Sequence, residues 1–283
     1  MAPTVVVIAM GEMGSGVAQR LRERGASVRT SLVGRSAASR ARAERAGIAL
    51  VDDDVKLVAD ADFVLSIIPP GEAVAFAERM APPLRQSNRR PVFVDCNAIS
   101  PQTAREVAAR LTPSGSPVVD AGIIGGPPKE SENGPRFYAS GPEAQRFAAL
   151  REYGLDVRLV DAAVGSASAL KLSYASLTKG FTALGAVAML GAERAGVAGV
   201  LHQELAQSQP ALKAWLERQV PRMYPKAYRW VAEMEEIAAY LEADPAGAEI
   251  YHGAAHLYAR LAAARAAGGA EIDTLEAFLA RKD

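Results

Sequence analysis

Up to about Val164, the chain alternates short β-branched runs with stretches in which apolar residues recur at helical spacing. The runs are rich in Val and Ile and are bounded by Gly, Pro or Asp, as in strands buried on both faces of a parallel sheet. The pattern predicts strands at 5–10, 26–33, 62–68, 91–96, 116–123 and 155–160. It predicts helices between them at 14–24, 36–46, 71–80 and 100–111. Such alternation predicts a doubly wound α/β domain.

Beyond about Val164 the strand signals stop and only helical spacing remains. The predicted helices cover 165–195, 203–219, 222–242, 246–267 and 273–281. The first has about 31 residues and is roughly 46 Å long, which is long for a helix inside one compact domain. We therefore expect it to be an interdomain helix. The sequence predicts an α/β domain at 1–163 and an all-α domain at 164–283.

Composition indicates a soluble globular protein. The 283 residues are 49% hydrophobic, and Lys+Arg and Asp+Glu both number 32. A net charge of zero does not favour nucleic acid or an anionic membrane as a partner. Cys96 is the sole cysteine, the N-terminus lacks a signal-peptide pattern, and the uncharged run 180–192 is too short to span a bilayer. We expect a cytoplasmic protein.

A glycine-rich turn joins the first predicted strand to the first predicted helix. The dinucleotide-binding pattern needs glycine at three positions, which are Ala9, Gly11 and Gly14 in this chain, so the match is imperfect at the first. Glu12 and Met13 lie between the two glycines. A pyrophosphate would lie at the helix N-terminus, on free N–H groups and the positive end of the helix dipole. The position of the turn favours a Rossmann-type dinucleotide site over an ordinary βα turn with packing glycines.

The end of the second predicted strand bears on which dinucleotide is bound. An acidic residue there would bind the ribose 2′-hydroxyl of NAD. The chain instead has Gly34, Arg35 and Ser36, with Arg40 one helical turn later. A guanidinium and a hydroxyl suit a 2′-phosphate, so we expect NADP ahead of NAD. The alternative is a solvated arginine that binds no ligand.

Five segments, in order along the chain, resemble motifs of the β-hydroxyacid dehydrogenases, the group that contains 3-hydroxyisobutyrate and 6-phosphogluconate dehydrogenases. Residues 11–14 (GEMG) match the start motif, and 68–70 (IPP) match a Leu-Pro turn beside the nicotinamide ribose. Residues 95–101 (DCNAISP) match an Asp-x-Ser-x-x-x-Pro segment, and 120–126 (DAGIIGG) match the substrate loop Asp-Ala-Pro-Val-Ser-Gly-Gly. Gly165 followed by Lys171 matches the Gly-x5-Lys motif. The last third of the chain matches only loosely.

The resemblance implies roles for individual residues. Lys171 would be the acid/base for the substrate hydroxyl, and the implied cofactor contacts include Ile68, Pro69, Pro70 and Asn97. Independently, an ammonium group in an apolar, partly desolvated site has a lowered pKa and can exchange a proton near neutral pH. The alternative is a lysine that reaches solvent from a packed helix.

Three positions of the substrate site depart from the family pattern. The family's Ser before Gly-Gly is Ile124, the Asn four residues after the lysine is Ala175, and the Ser of the Asp-x-Ser segment is Asn97. Ile and Ala donate no side-chain hydrogen bond, so the family's way of binding a carboxylate is in doubt. The N–H groups of Gly125 and Gly126 and the hydroxyl of Tyr174 remain as candidate donors. We expect a substrate that is bulkier, more apolar or not a simple carboxylate.

Two features of the helical region leave alternatives open. Residues 233–237 fall where many family members carry a Lys-Asp-Leu helix start, which would place Glu235 near the cofactor or substrate. Alternatively, these glutamates form the solvated face of a helix. His252 and His256 have the i, i+4 spacing of metal ligands, but no third ligand is evident and packing is the favoured interpretation. We expect no metal.

The sequence thus predicts an NADP-preferring oxidoreductase that transfers hydride between nicotinamide and a hydroxy acid or related alcohol. The first alternative is an imine reductase, since imine reductases look like relatives of this chain built on the same two domains. The altered carboxylate site suits a C=N substrate, but Lys171 argues against this alternative. A second alternative is a dinucleotide-binding protein without catalysis. The long helix with many small residues and the thin helical domain predict a homodimer.

Overall fold

The computed structural model describes residues 2–128 and 134–281. The chain divides into two compact units, Met1–Lys171 and Leu172–Asp283. The predicted fold class is confirmed, because the first unit is a doubly wound α/β unit and the second is helical. The exact domain boundary that we place at 163/164 stays a prediction.

The first unit contains an eight-stranded sheet with the order β3-β2-β1-β4-β5-β6-β7-β8. All neighbouring strands are parallel except β6 and β7, which are antiparallel. The strands are β1 (Thr4–Ile8), β2 (Ser27–Thr30), β3 (Ala49–Leu50), β4 (Phe63–Ser66), β5 (Val92–Asp95), β6 (Val118–Ile124), β7 (Arg136–Ser140) and β8 (Asp156–Leu159). The helices are α1 (Glu12–Glu23), α2 (Ala37–Arg45), α3 (Asp54–Val58), α4 (Ala73–Gln86), α5 (Pro101–Leu111) and α6 (Ala144–Phe147).

Alternate residues of the strands enter two cores on opposite faces of the sheet. Val5 and Val7 of β1 pack in the core that includes Leu21 of α1. Val6 and Ile8 pack in the other core, with Phe76 of α4 among its members. Because both faces of the sheet are covered, its strands do not alternate between apolar and polar residues and are continuously apolar.

The sequence pattern missed the strands β3 and β7. β3 has only two residues, both exposed, so it carries no hydrophobic pattern. The segment RFYAS of β7 is short and has little hydrophobic pattern of its own. It forms a strand because it pairs, antiparallel, with the long buried strand β6. The short helices α3 and α6 were missed for the same lack of length.

Helix α4 continues to Gln86, beyond the predicted end at residue 80, and includes Pro82 and Pro83. Each proline removes a backbone hydrogen bond. However, Met80 and Leu84 both lie in the core on that face of the sheet. Packing of this apolar face therefore outweighs the local cost of the prolines.

The second unit contains the rest of α7 (Ser166–Arg194), a helix that begins in the first unit, followed by five further helices. These are α8 (Ala198–Ser208), α9 (Pro210–Met223), α10 (Ala227–Tyr240), α11 (Pro245–Ala266) and α12 (Ala270–Leu279). The helix predicted at 203–219 was wrong in extent, because Pro210 starts a new helix after Gln209. Proline is favoured in the first turn of a helix and cannot continue the preceding one without loss of a hydrogen bond.

Helix α7 is also the one described helix that is long and apolar enough to cross a membrane. Of its most apolar window, 44% is buried within the protein itself. Core helices of soluble proteins meet the same length and composition criteria, so this property alone does not indicate a membrane span.

Candidate active site

Four buried polar side chains lie side by side across the sheet. Ser66 ends β4, Asp95 ends β5, Asp120 lies in β6 and Ser140 ends β7, and each is the register partner of the next. All four are 2% exposed or less. We call them the polar row. It lies at the carboxyl ends of β4 and β5, and this edge is where doubly wound sheets bind their ligands.

Asp120 of the polar row caps the N-terminus of α7. Its Oδ2 accepts hydrogen bonds from the N–H groups of Gly165 (2.9 Å) and Ser168 (3.0 Å) and from the Ser140 hydroxyl (3.1 Å). Its Oδ1 accepts one from the Ser168 hydroxyl at 2.6 Å. The Ser140 oxygen in turn accepts from the Ala167 N–H (3.0 Å). A buried carboxylate is stable here because the helix start offers unpaired N–H groups and a positive dipole end.

This cap places Lys171 close to the sheet edge. Lys171 follows Ser168 by three residues, so the two lie on the same face of α7. Gly122, two residues after Asp120 on β6, allows the helix to approach. A Cβ added at Gly122 would lie 3.0 Å from the Lys171 Cβ and 2.7 Å from the Ala167 carbonyl oxygen. Lys171 itself is partly buried, and its charge acts on Asp95 and Cys96.

Asp95 has an unusual environment for a carboxyl group. Burial raises its pKa to about 7, the N–H of Asn97 opposes this by bonding the carboxylate, the charge of Asp120 adds to the rise, and the Lys171 ammonium lowers it. Its Oδ1 accepts the Asn97 N–H at 2.9 Å. Its Oδ2 is buried and receives a hydrogen bond from no described residue. The next residue, Cys96, is also buried, and burial raises the pKa of its thiol well above the usual value.

The predicted glycine-rich turn lies between β1 and α1. Helix α1 begins at Glu12, directly after Gly11, and a Cβ added at Gly11 would meet no atom within 4 Å. A Cβ added at Gly14 would overlap the backbone carbonyl of Ala9, so this glycine maintains the helix–strand contact. Glu12 is exposed in the first turn, and Met13 packs against the core. Open space at Gly11 and a helix of twelve residues behind it fit a bound pyrophosphate.

The predicted 2′-phosphate site lies in the turn after β2. Gly34 has φ +71°, a conformation that favours glycine. The Arg35 guanidinium forms an ion pair with the Glu72 carboxylate at 3.0 Å. Glu72 follows Pro69 and Pro70 in the turn after β4. The Ser36 hydroxyl accepts from the N–H of Ser39 (3.3 Å) and caps α2. The two turns are thus joined by Arg35, and Arg40 is exposed on the next helical turn.

Asn97 and Ile68 connect the ends of β4 and β5. The Ile68 N–H donates to the Asn97 Oδ1 at 2.7 Å, and the Asn97 Nδ2 donates to the Ser66 hydroxyl at 3.0 Å. Asn97 is buried, whereas Pro69 is exposed. The amide of Asn97 therefore supports the loop that carries Ile68, Pro69 and Pro70, and its contact with a ligand stays a prediction.

The remaining predicted substrate residues are placed differently from one another. Ile124 ends β6, and Gly125 (φ +126°) and Gly126 follow it in the first unit. In the second unit, Tyr174 is about half exposed, but Ala175 is buried in the helical core. A buried methyl group in that core is poorly placed to meet a substrate.

Glu235 is exposed in the second unit. Its carboxylate accepts a hydrogen bond from the His252 Nδ1 at 2.8 Å. Its neighbour Glu233 pairs with Lys179, which lies eight residues after Lys171 on α7. These contacts agree with the interpretation of a charged helix face. Within residues 2–128 and 134–281, no three His, Cys, Asp or Glu side chains are grouped as metal ligands.

Sequence reasoning placed Asp95, Asp120 and Gly122 in segments that resemble family motifs but gave them no individual role, and it did not single out Ser140 or Ser168. A signal was present, since two hydrophobic runs each lead into an aspartate, VFVD at 92–95 and VVD at 118–120. What the sequence did not reveal is that these carboxyls are register partners and that one of them caps the helix of Lys171.

Two family models match the chain. The NAD binding domain of 6-phosphogluconate dehydrogenase matches residues 4–153, which is more than half of the chain. A domain of unknown function, DUF1932, matches residues 192–261. A curated relative, an uncharacterized 28.5 kDa protein of Methanothermus fervidus, is 26% identical over 177 residues. That match spans 62% of this chain and 66% of the relative, just under two thirds of its length.

Solved structures with the same fold cover nearly the whole chain. A conserved protein of unknown function, described as structurally similar to 3-hydroxyacid dehydrogenases, is 30% identical with a TM-score of 0.70, covering 93% of this chain and 98% of its own. The 3-hydroxyisobutyrate dehydrogenase of Mycobacterium tuberculosis is 23% identical with a TM-score of 0.75, covering 99% and 98%. An imine reductase of Myxococcus stipitatus shares the fold at 20% identity and a TM-score of 0.59, covering 99% and 100%.

The dinucleotide-type turn, the lysine-bearing helix capped on β6 and these similarities agree with one another. The chain therefore belongs to the β-hydroxyacid dehydrogenase family, with an N-terminal NAD-binding domain of the 6-phosphogluconate dehydrogenase type.

Proposed function

We propose that this protein transfers hydride between a nicotinamide cofactor, preferentially NADP, and a hydroxy acid or related alcohol, with Lys171 as the acid/base. One observation carries the proposal. The helix that bears Lys171 is capped by the buried Asp120 carboxylate and packs closely on Gly122. An acid/base must be held within reach of the proton that it exchanges, and this arrangement holds the lysine at the ligand-binding edge of the sheet.

The proposed chemistry divides between cofactor and protein. A bound nicotinamide would supply the hydride chemistry, as acceptor in the oxidation direction and as donor in the reduction direction. In the oxidation direction the Lys171 Nζ accepts the hydroxyl proton, and in the reduction direction the ammonium donates it. The α1 N-terminus behind Gly11 would bind the pyrophosphate, and the turn formed by Ile68, Pro69 and Pro70 would border the nicotinamide ribose.

The preference for NADP rests on the turn after β2. The Arg35 guanidinium is ion-paired with the Glu72 carboxylate, so a 2′-phosphate would share the guanidinium with that carboxylate or displace it. Ser36 offers a hydroxyl that already accepts the N–H of Ser39 and can still donate its own proton. No acidic residue occupies positions 34–36, where one would bind the 2′-hydroxyl of NAD.

The substrate that we propose is not a small, simple carboxylate. Ile124 and Ala175 remove two side-chain donors that the family pattern would place there, and Ala175 is buried in the helical core. The N–H groups of Gly125 and Gly126 are the donors that remain in the first unit. Bulkier or more apolar alcohols, with their aldehydes or ketones, are the expected substrates.

The decisive experiment replaces Lys171 by Ala in the full-length protein. We expect turnover of alcohols with NADP to fall by at least about 10²-fold, because the proton transfer loses its acid/base. Binding of NADPH and NADH, measured by fluorescence titration, is expected to stay within about threefold of the unsubstituted protein, with NADPH binding the tighter of the two. Near-normal turnover in Lys171→Ala would reject the assignment, and tighter binding of NADH would reject the NADP preference.

The matched control is Lys56→Ala, which removes an exposed lysine on α3 in the same unit. Its turnover is expected to equal that of the unsubstituted protein. Comparison of 3-hydroxyisobutyrate with aryl and alkyl alcohols tests the substrate class. A strong preference for 3-hydroxyisobutyrate would contradict it.

Imine reduction is the second candidate function, since the altered carboxylate site suits a C=N substrate. Assays of a ketone and a cyclic imine with NADPH separate the two, and preferential turnover of the imine would favour imine reduction. Tight NADPH binding without turnover across an alcohol and aldehyde panel would favour a dinucleotide-binding protein without catalysis. We also propose that the protein acts in the cytoplasm as a homodimer.

A further inference from the structure

Asp95 is a buried carboxyl group that the proposed reaction does not yet use. It is 2% exposed, its Oδ2 receives no hydrogen bond from any described residue, and its neighbour across the sheet is the Asp120 carboxylate. An unpaired carboxylate oxygen in a protein interior is costly. Retention of such a group beside the proposed acid/base calls for a role.

Two charged groups lie beside Asp95. Asp120 is its register partner on β6 and bonds the start of α7, and Lys171 of that helix packs on Gly122 of the same strand, so its ammonium acts on Asp95. Ser66, its register partner on β4, is uncharged. Cys96 and Asn97 follow it in the chain, and the Cys96 thiol is held neutral at physiological pH because burial raises its pKa. The Asp120 carboxylate is already engaged with the α7 N-terminus through four hydrogen bonds. Asp95 is therefore the carboxyl in this group that keeps one oxygen, Oδ2, without a hydrogen bond from a described residue, while its Oδ1 accepts the Asn97 N–H.

We propose that Asp95 is a positioning residue that acts through Lys171: the charge of its carboxylate sets the proton affinity of the lysine. This inference rests on the proposed function. When Lys171 accepts the substrate hydroxyl proton it becomes an ammonium, and an ionised Asp95 carboxylate balances the new positive charge. Asp95 itself gives up and takes up no proton in this step. A nearby opposite charge lowers the cost of charging a lysine in a desolvated site.

The direction of the coupling follows from reciprocity. The Lys171 ammonium lowers the pKa of Asp95. By linkage, the Asp95 carboxylate raises the pKa of Lys171 by the same amount. Removal of the carboxylate therefore makes the lysine a weaker base. Because burial raises the pKa of Asp95 to about 7, this charge changes within the pH range in which an enzyme works.

The first test compares the pH dependence of kcat/KM for the unsubstituted protein and Asp95→Asn. Asparagine keeps an oxygen that can accept the Asn97 N–H, so the turn after β5 is preserved. In the oxidation direction, activity rises with pH as Lys171 loses its proton. We expect this rising limb to move to lower pH by roughly one unit in Asp95→Asn. A merely structural role would lower the rate at every pH and leave the limb in place, which would overturn the inference.

Two control variants accompany Asp95→Asn. Asp156→Asn removes an exposed carboxylate on β8 that is bonded to Arg158, and both its activity and its pH profile are expected to be unchanged. Ser168→Ala loosens the α7 cap without removing a charge, and it is expected to lower stability without moving the limb.

The second test does not depend on turnover. The carboxyl carbons of aspartate are labelled with ¹³C, and the Asp95 signal is identified by its loss in Asp95→Asn. We expect this carboxyl to titrate near pH 7 and its pKa to rise in Lys171→Met, since the nearby cation is lost. A titration near pH 4, or one that Lys171→Met does not change, would overturn the inference.

The two tests separate failure of this inference from failure of the proposed function. Absence of turnover with every alcohol, ketone and imine would reject the proposed function, and the NMR titration would then decide the coupling alone. Turnover with an unmoved pH limb would leave the proposed function intact and reject the role of Asp95.

Discussion

At the scale of the residue, Gly11 and Gly14 of the glycine-rich turn have different surroundings. Gly14 lies against the backbone of Ala9, so a side chain there conflicts with the fold itself. Gly11 has open space around its Cα, and its φ of −68° is available to any residue. Neither packing nor backbone conformation therefore requires glycine at position 11, whereas the proposed binding of a pyrophosphate there would require it.

This difference predicts opposite behaviour of Gly11→Ala and Gly14→Ala. We expect the unfolding free energy of Gly11→Ala to lie within about 0.5 kcal/mol of that of the unsubstituted protein. We expect its NADPH binding to be at least about tenfold weaker, because the methyl group occupies the space of the pyrophosphate. We expect Gly14→Ala to lose about 2 kcal/mol or more of unfolding free energy, because the methyl group displaces backbone. Urea unfolding and NADPH titration of both variants measure this. Normal NADPH affinity in Gly11→Ala would contradict the proposed binding site.

At the scale of the element, α7 is held by one carboxylate of the sheet. The helix spans 29 residues, many of them Ala, Gly and Ser, and its first turn is anchored by Asp120, Ser140 and Ser168. Strand β7 supplies Ser140, so the antiparallel strand that the sequence pattern missed contributes to the position of Lys171. The element that carries the proposed acid/base is thus positioned by residues from two strands.

The cap predicts that Ser168→Ala destabilises the protein. The substitution removes the 2.6 Å hydrogen bond to the buried Asp120 Oδ1, and we expect a loss of about 1–3 kcal/mol in unfolding free energy. The matched control is Ser176→Ala on the same helix, whose hydroxyl donates to the Ser173 carbonyl within α7. We expect that control to lose less than about 0.5 kcal/mol. Equal losses for the two serines would show that the cap contributes nothing particular.

At the scale of the whole molecule, α7 presents an exposed apolar stripe in the second unit. Tyr174, Leu177, Phe181 and Leu184 recur at intervals of three and four residues and are between 49% and 59% exposed. Contiguous exposed apolar side chains at heptad spacing are typical of a helix that packs against another helix. A second copy of the chain is the partner that we propose.

A double substitution, Leu177→Glu with Leu184→Glu, is expected to convert the protein from a dimer to a monomer. Two buried glutamates would place unpaired charge in the interface. Light scattering after size exclusion measures the mass, and Val200→Glu, at a 69% exposed position on α8, is the control that is expected to remain dimeric. A monomeric unsubstituted protein at micromolar concentration would contradict the dimer.

The amino-acid sequence by itself determined the fold class and the type of cofactor turn. Continuous Val and Ile runs between Gly and Pro residues specify a parallel sheet because buried strands need apolar residues at every position. Gly14 belongs to this local pattern because the backbone that it lies against, at Ala9, is only five residues away. The helical spacing of residues 165–195 likewise placed Lys171 in the first turns of a helix, since helical geometry relates residues only a few positions apart.

Only the tertiary structure decided what surrounds that lysine. Asp95, Asp120 and Ser140 come from three strands, and Ser168 and Lys171 come from a helix that begins more than forty positions after Asp120. Their proximity depends on the order and register of the strands, which no local pattern encodes. The same holds for the charge of Asp95, because burial and neighbouring charges, and not the residue type, determine the pKa of a carboxyl group.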